Sequence, residues 1–239
     1  MSRQDKDETM TLFWEEEDDK TLPFTAPDAI FDVMFSMSCR SIPVDHAWDL
    51  SEVIQQHLPW LKDYKGAGIH QIHVAESNNG WIRPNQEQSL LYPSKRTKLS
   101  LRIPAEKYPE VQKLVGKTLA LQGHEIHLGK CKKKPLGNSG VIFSRYVLLK
   151  DNQTETEFLT SIANEIQDKT QTKIKKMLCG KSHKIKTPDA MLNTIHLMIA
   201  DLDDETSIKI QQYGLGAGRE LGLGLFLPHK SIKTLKPMD

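Results

Sequence analysis

The feature that most constrains this chain is an order of strand and helix patterns that runs twice along it. In the first half, segment 29–42 alternates apolar and polar side chains, which predicts a strand. Asp49 is a suitable N-cap for the helix that follows, whose apolar residues recur at helical spacing. Later elements of this half are predicted as strands at 69–74, 81–83 and 99–103, a short helix at 104–115 and an extended pair at 119–128.

The same order restarts after residue 140. An alternating strand at 141–149 precedes a helix that Thr154 should cap, with an apolar stripe at Phe158, Ile162 and Ile166. The remaining elements are predicted as a strand at 174–178, a turn at Cys179–Gly180 with a return at 184–186, a strand at 194–200, a helix at 204–213 and a loop at 215–226 that enters the last strand.

Each half therefore follows the order β-α-β-β-α-β, which is the ferredoxin-like arrangement. We predict an α+β protein with two ferredoxin-like domains in tandem. The predicted domains are residues 28–135 and 136–239, and residues 1–27 are predicted to be an acidic, disordered tail.

Charge is distributed unevenly along the 239 residues. The first 20 residues carry three basic and eight acidic side chains, and the other 219 carry 29 basic and 23 acidic ones. The body is therefore mildly basic, which suits a nucleic-acid partner without requiring one. The sequence has no apolar run long enough to span a membrane and no signal-peptide pattern, so we expect a cytoplasmic protein without a membrane partner.

A glycine-rich loop near the C-terminus is the most conspicuous local feature. Five of the 14 glycines fall between Gly214 and Gly224, and Arg219 lies in their middle. Such a loop can present backbone N–H groups to phosphate, and arginine suits bidentate phosphate contacts. No Gly-Lys-Ser/Thr follows, and Pro228 comes too soon for a long helix, so this is not a nucleotide-binding loop of the usual kind. Taken alone, the loop fits a tight turn equally well.

An ordered set of motifs resembles one protein family. The chain is similar to the CRISPR-associated, repeat-cleaving endoribonucleases of the RAMP superfamily, and to their variant subgroup with a Ser-Ile-Pro-x-Asp-His pattern. The matching segments, within residues 29–228, are Ser41–His46, Leu101–Pro104, Gly116–Leu119, Phe143–Val147 and Gly214–Phe226. The resemblance implies a tandem ferredoxin-like fold of the RAMP type.

The resemblance also implies a reaction. Such enzymes cut precursor CRISPR RNA at the base of the repeat hairpin without a metal ion, and many then remain bound as an effector-complex subunit. The ribose 2′-OH attacks the adjacent phosphate and leaves a 2′,3′-cyclic phosphate and a 5′-OH. The expected partners are CRISPR repeat RNA and other effector subunits, with no cofactor and no small-molecule substrate.

Three residues are predicted to be catalytic: His46, Arg219 and Arg40. Histidine titrates near working pH and can serve as base or acid, and related enzymes often carry a catalytic histidine in this connection. An arginine would stabilise the phosphorane, a service that Lys181 could also supply. Base and acid stay unassigned, and either Tyr213 or Tyr64 could orient the histidine.

Other histidines occur in pairs. His70 and His73, and likewise His124 and His127, are expected to split between the two faces of a strand. No His-x-x-x-His pattern or carboxylate cluster accompanies them, so no metal site is predicted.

Two basic runs are predicted to contact RNA phosphates. The first is the run after the fourth strand, with Lys132 and Lys133, and the second surrounds the fifth strand. With the loop glycines, the predicted RNA contacts are Lys132, Lys133, Lys173, Lys175, Lys176, Lys181, His183, Lys184, Lys186, Gly214, Gly216, Gly218 and Arg219.

Two alternatives remain open. The same double fold could serve as a non-catalytic RNA-binding subunit of a CRISPR effector or transposon-targeting complex. A two-histidine phosphoesterase on duplicated halves would need His-x-Thr/Ser in each half, and the first half has none.

Overall fold

The first half of the chain forms an antiparallel sheet with helices on one face. The structure is a computed structural model and describes residues 29–74 and 89–229. Elements of this half are β1 (Ile30–Ser38), β2 (Ile42–Pro43), α1 (Ala47–His57), β3 (Gly68–Ile69), β4 (Leu90–Leu91), β5 (Lys98–Pro104), α2 (Tyr108–Gln112), β6 (Thr118–Leu121) and β7 (His124–Pro135).

The strand order in this sheet is β3-β5-β1-β7-β6. Apart from the added hairpin partner β6, this is the ferredoxin-like order, with β1 and β5, the first and third strands of the motif, in the middle. The alternation in β1 buries Val33 and Phe35 fully, and they join one apolar core with Leu50 and Ile54 of α1.

The second half repeats this plan. Its elements are β8 (Val141–Leu148), α3 (Glu155–Thr170), β9 (Lys176–Lys186), β10 (Met191–Ala200), α4 (Asp204–Tyr213) and β11 (Leu227–Pro228). The strand order β11-β8-β10-β9 is again ferredoxin-like. Thr154 caps α3 in a capping box with Glu157, as its sequence predicts.

The predicted turn at Cys179–Gly180 is wrong. Strand β9 runs through both residues without reversing, because Cys179 continues the antiparallel ladder opposite Leu197 of β10. The chain reverses only after Lys186, where the Thr187 N–H donates to the Ala190 carbonyl at 2.9 Å. The lysine-rich segment is therefore one long strand that ends in a hairpin tip.

Three smaller differences also concern where elements end. The basic run at 130–134 does not follow a strand but lies inside β7, and the predicted strand at 69–74 pairs only at Gly68–Ile69. The helix expected at 104–115 is a 3₁₀ turn followed by the short α2, since β5 continues through Pro104. The predicted tail at 1–27 and strand at 81–83 lie outside the described residues.

Within the described ranges, no helix is both long and apolar enough to cross a membrane.

Candidate functional site

The N-cap predicted at Asp49 is wrong, because α1 begins at Ala47 and Asp49 lies in its first turn. His46 occupies the N-cap and is buried, with 2 % of its surface exposed. Its Nδ1 lies 2.9 Å from the Pro43 carbonyl, and its Nε2 accepts the Ile72 N–H at 2.9 Å. These bonds fit a neutral ring with its proton on Nδ1. The ring fastens the connection before α1 to the segment after β3, so neither ring nitrogen is presented to solvent in this conformation.

Arg219 is also buried, between the two halves of the chain. Its guanidinium donates to the carbonyls of Ala67 at 3.0 Å and Gly66 at 3.3 Å in the first half, and to those of Gln212 at 3.0 Å and Tyr213 in the second. Burial, with Arg102 nearby, lowers the pKa of Arg219 to about 9. Arg219 thus ties the glycine-rich loop to the first half and does not face an open phosphate site.

The glycines of the loop allow tight packing of the backbone. A Cβ on Gly214 would collide with the Arg219 guanidinium, and one on Gly218 would come within 2.7 Å of the Leu223 side chain. The N–H of Gly216 donates to both carboxylate oxygens of Glu165 at 3.1 Å. The predicted phosphate-facing N–H groups therefore donate to acceptors of the protein itself, and the loop is a joint between the two halves.

A buried ion-pair network, which the sequence interpretation missed, supports this joint. Arg102 of β5 is fully buried and donates to both carboxylate oxygens of Asp32, at 2.8 and 3.2 Å. Its remaining nitrogen, Nη1, donates to two carbonyls of the second half, those of Gln211 at 2.8 Å and Phe226 at 3.0 Å. His70 lies 3.2 Å from Asp32. One sequence feature could have indicated this network, namely an arginine between the apolar residues of the segment Leu101–Pro104.

The lysines around β9 are exposed along its whole length. Lys176 pairs with Asp201 at 2.7 Å, which raises the lysine's pKa through a hydrogen bond. His183 packs edge-on against Tyr146, with the ring centroids 5.6 Å apart, and so faces the domain interface. The remaining predicted contacts of this segment, all exposed, are Lys173, Lys175, Lys181, Lys184 and Lys186.

The predicted contacts on β7 point to opposite faces of the sheet. The Nζ of Lys133 lies 4.3 Å from the centre of the Tyr108 ring, on the helix side. Lys132 alternates with it and is exposed on the other face, together with Lys134. Lys134 lines a cavity of about 190 Å³ between the two sheets, where Arg145 and Phe143 face it. Of the two predicted contacts, Lys132 therefore shares the face of β7 whose neighbour Lys134 lines this cavity, and Lys133 does not.

Arg40 lies in a separate open pocket of about 780 Å³, at the end of β1 and the start of β7. His124 and His127 lie on opposite faces of β7, as predicted, since His124 pairs with buried Leu121 and His127 with exposed Thr118. Both nevertheless line this pocket. His124 directly follows the β6–β7 turn, where the pocket wraps around the hairpin end. Its Nδ1 lies 3.1 Å from the Ser41 hydroxyl. Of the three predicted catalytic residues, only Arg40 is exposed.

Within 29–74 and 89–229, no group of three or more His, Cys, Asp or Glu side chains is arranged to hold a metal ion.

Comparison with known proteins decides the family. A family model described as "Cas6 Crispr" matches residues 31–231. The chain belongs to the Cas6 family. This confirms the resemblance to the repeat-processing RAMP proteins. One relative, named "CRISPR-associated endonuclease Cas6" from Myxococcus xanthus (strain DK1622), is 25 % identical over 198 residues, which is 82 % of this chain and 80 % of the relative.

Solved Cas6 structures share the fold at low identity. One titled "CRISPR associated protein Cas6" aligns with a TM-score of 0.60 at 11 % identity, covering 84 % of this chain and 100 % of that one. A second, from a Cas6-related gene of Pyrococcus furiosus, has a TM-score of 0.55 at 11 % identity, covering 84 % and 99 %. At such identities the likeness concerns the fold, and it confirms the tandem ferredoxin-like architecture of the RAMP type.

Proposed function

We propose that this protein cleaves CRISPR repeat RNA at the base of its hairpin, without a metal ion, and so produces mature CRISPR RNA. The observation that carries the proposal is the Cas6 family match over residues 31–231. Membership of the Cas6 family makes the chain an endoribonuclease, and the Myxococcus relative bears the name of a CRISPR-associated endonuclease.

The exposed basic strand supports RNA as the ligand. Lys181, Lys184 and Lys186 follow one another along β9 toward the hairpin tip, where an RNA backbone could run beside them. Lysine contacts to phosphates provide affinity that falls with salt but carry no sequence choice. An A-form stem would then be recognised by shape, together with the unpaired nucleotides beside it.

The reaction we propose is transesterification within the RNA. A base removes the 2′-OH proton, the 2′-oxygen attacks phosphorus, and an acid protonates the departing 5′-oxygen. The predicted role of His46 in these steps stays a prediction. Its Nε2 would first have to exchange the Ile72 N–H for an RNA hydroxyl.

A second candidate function is that of a non-catalytic RNA-binding subunit. The observation that favours it is the burial of His46 and Arg219, both of which are hydrogen-bonded inside the protein. In either case we propose that the protein keeps its RNA and serves as a subunit of an effector complex.

The two functions separate in one experiment. End-labelled repeat RNA is incubated with the protein in EDTA, and binding and cleavage are measured in parallel. The proposal expects one cut at the hairpin base and a product that stays bound through gel filtration. RNA that is bound but remains intact would instead establish the non-catalytic subunit.

A further inference from the structure

The pocket at the end of β1 contains the side chains that cleavage of RNA by its own 2′-OH requires. Arg40, Ser41, His124 and His127 all line it, with Tyr92 at its rim. Nδ1 of His124 lies 3.1 Å from the Ser41 hydroxyl, while its Nε2 makes no hydrogen bond to any described residue. An imidazole held at one nitrogen keeps the other available to bind or accept a proton from a ligand.

The pocket has other charged and titratable groups, of which Tyr92 follows β4 and the rest belong to β7 or follow β1. Glu125 lies 3.7 Å from Nε2 of His127, whose Nδ1 lies 2.7 Å from the Thr118 hydroxyl. Cys39 donates to the Ser41 carbonyl at 3.0 Å. Arg40 is exposed and makes no ion pair with a described acidic residue, so its guanidinium is available to an incoming phosphate.

A second cavity lies between the first half and the tip of the basic strand. This cavity, of about 330 Å³, is lined by Asp49 and Gln122 on one side and by Lys186–Pro188 on the other. Gln122 directly precedes Gly123, which lines the Arg40 pocket. Gln122 therefore shares a cavity with Lys186 at the tip of β9, and the next two residues of the chain, Gly123 and His124, line the Arg40 pocket.

We propose that this pocket is the cleavage centre, with His124 as the general base and Arg40 on the phosphate; this rests on the proposed function. His124 takes the 2′-OH proton on Nε2, and the 2′-oxygen bonds to phosphorus. The bond to the 5′-oxygen breaks, and His127 returns a proton to that oxygen. The products are a 2′,3′-cyclic phosphate and a 5′-OH, and the two histidines regain their starting states by exchange with water.

Ser41 is a positioning residue in this arrangement. Its hydroxyl accepts the Nδ1–H of His124 and so leaves the Nε2 lone pair available as the base. His46 has a different role, because its two hydrogen bonds hold the connection that carries Ser41 toward α1.

The test compares single-turnover cleavage of repeat RNA in EDTA by wild type, His124→Ala and His124→Gln. His57→Ala is the matched control, since His57 is exposed at the end of α1 and lines none of these cavities. We expect both His124 variants to lose about 10²- to 10⁴-fold in rate while RNA affinity stays within about threefold. The glutamine variant keeps a partner for Ser41, which controls for loss of folding.

A second substrate separates base from acid. When sulfur replaces the 5′-bridging oxygen, the leaving group no longer needs a proton. His127→Ala should then recover most of its rate, and His124→Ala should not. If His124→Gln cleaves the ordinary RNA within about threefold of wild type, the pocket is not the cleavage centre. If wild type binds RNA but never cuts it, the proposed function fails instead.

Discussion

The most deeply buried charge in the described structure belongs to Arg102, and it explains more of the molecule than the predicted catalytic residues do. Its segment, Leu101–Pro104, matches a family motif, but the sequence predicts no role for the arginine itself. The role was not predictable because its partners Asp32, Gln211 and Phe226 lie 70, 109 and 124 positions away in the sequence, beyond the reach of any local pattern. His46 was located correctly at the strand–helix connection, but Ile72, its distant hydrogen-bond partner, was likewise not visible from the sequence.

Replacing Arg102 should be severe for stability. Arg102→Leu leaves the Asp32 carboxylate buried without its main partner and two carbonyls of the second half without a donor. We expect the free energy of unfolding to fall by about 3–5 kcal/mol. Urea unfolding measures it, with the exposed Arg96→Leu as control. A loss as small as that of the control would contradict the structural role of Arg102.

The same network predicts how stability responds to acid. Burial acts to raise the pKa of Asp32, but Arg102 and His70 outweigh it and hold the pKa well below its usual range. A lowered carboxyl pKa adds stability above the unfolded pKa, about 3.9, which is lost as the pH falls through and below that value. Urea unfolding at pH 6 and pH 3 should therefore show a large loss for wild type and a smaller one for Asp32→Asn. Equal losses would contradict this account.

At the scale of elements, period and capping signals predicted the two helices of the second half, whereas the cap predicted for α1 at Asp49 was wrong. Helix α3 begins at its predicted cap, and α4 spans the predicted residues. Strand β9 was misread because Cys179–Gly180 looks like a turn locally, whereas nine residue pairs with β10, on both sides of a register shift next to Gly180, keep it extended. The basic residues were identified from composition, but the face that each one occupies depends on the pairing.

Strand β9 should supply the salt-dependent part of RNA affinity. Removing both charges in Lys184→Ala/Lys186→Ala deletes two phosphate contacts if the RNA follows this strand. The slope of log affinity against log salt should then fall by about 1.4–1.8. Filter binding at four salt concentrations measures the slope, with Lys113→Ala/Lys117→Ala as an equally charged control pair at another surface. An unchanged slope would place the RNA elsewhere.

For the whole molecule, the glycine-rich loop joins two ferredoxin-like halves. The sequence reveals the concentration of glycines and the duplicated order but not that the loop closes on Arg219 and on the turn before β3. That arrangement exists only once both halves are folded. It leaves the basic strand and the Arg40 pocket on the outside, where RNA can reach them.

Two glycine-to-alanine variants separate the cost of steric crowding at the joint from the cost of a left-handed backbone conformation. Gly224 and Gly116 both have positive φ, +63° and +81°, but only at Gly224 would a Cβ collide with the Leu215 carbonyl. Gly116→Ala should cost about 1 kcal/mol of left-handed strain, and Gly224→Ala clearly more. Thermal unfolding of the two variants compares them, and equal losses would show that the joint tolerates a side chain.

The measurement that tests the central claim most directly is end-group analysis of repeat RNA cleaved in EDTA, with and without a single 2′-deoxy substitution at the cut. We predict a 2′,3′-cyclic phosphate and a 5′-OH from the ordinary RNA, and no cleavage of the substituted one. A 3′-OH product, or cleavage that survives the 2′-deoxy substitution, would contradict it.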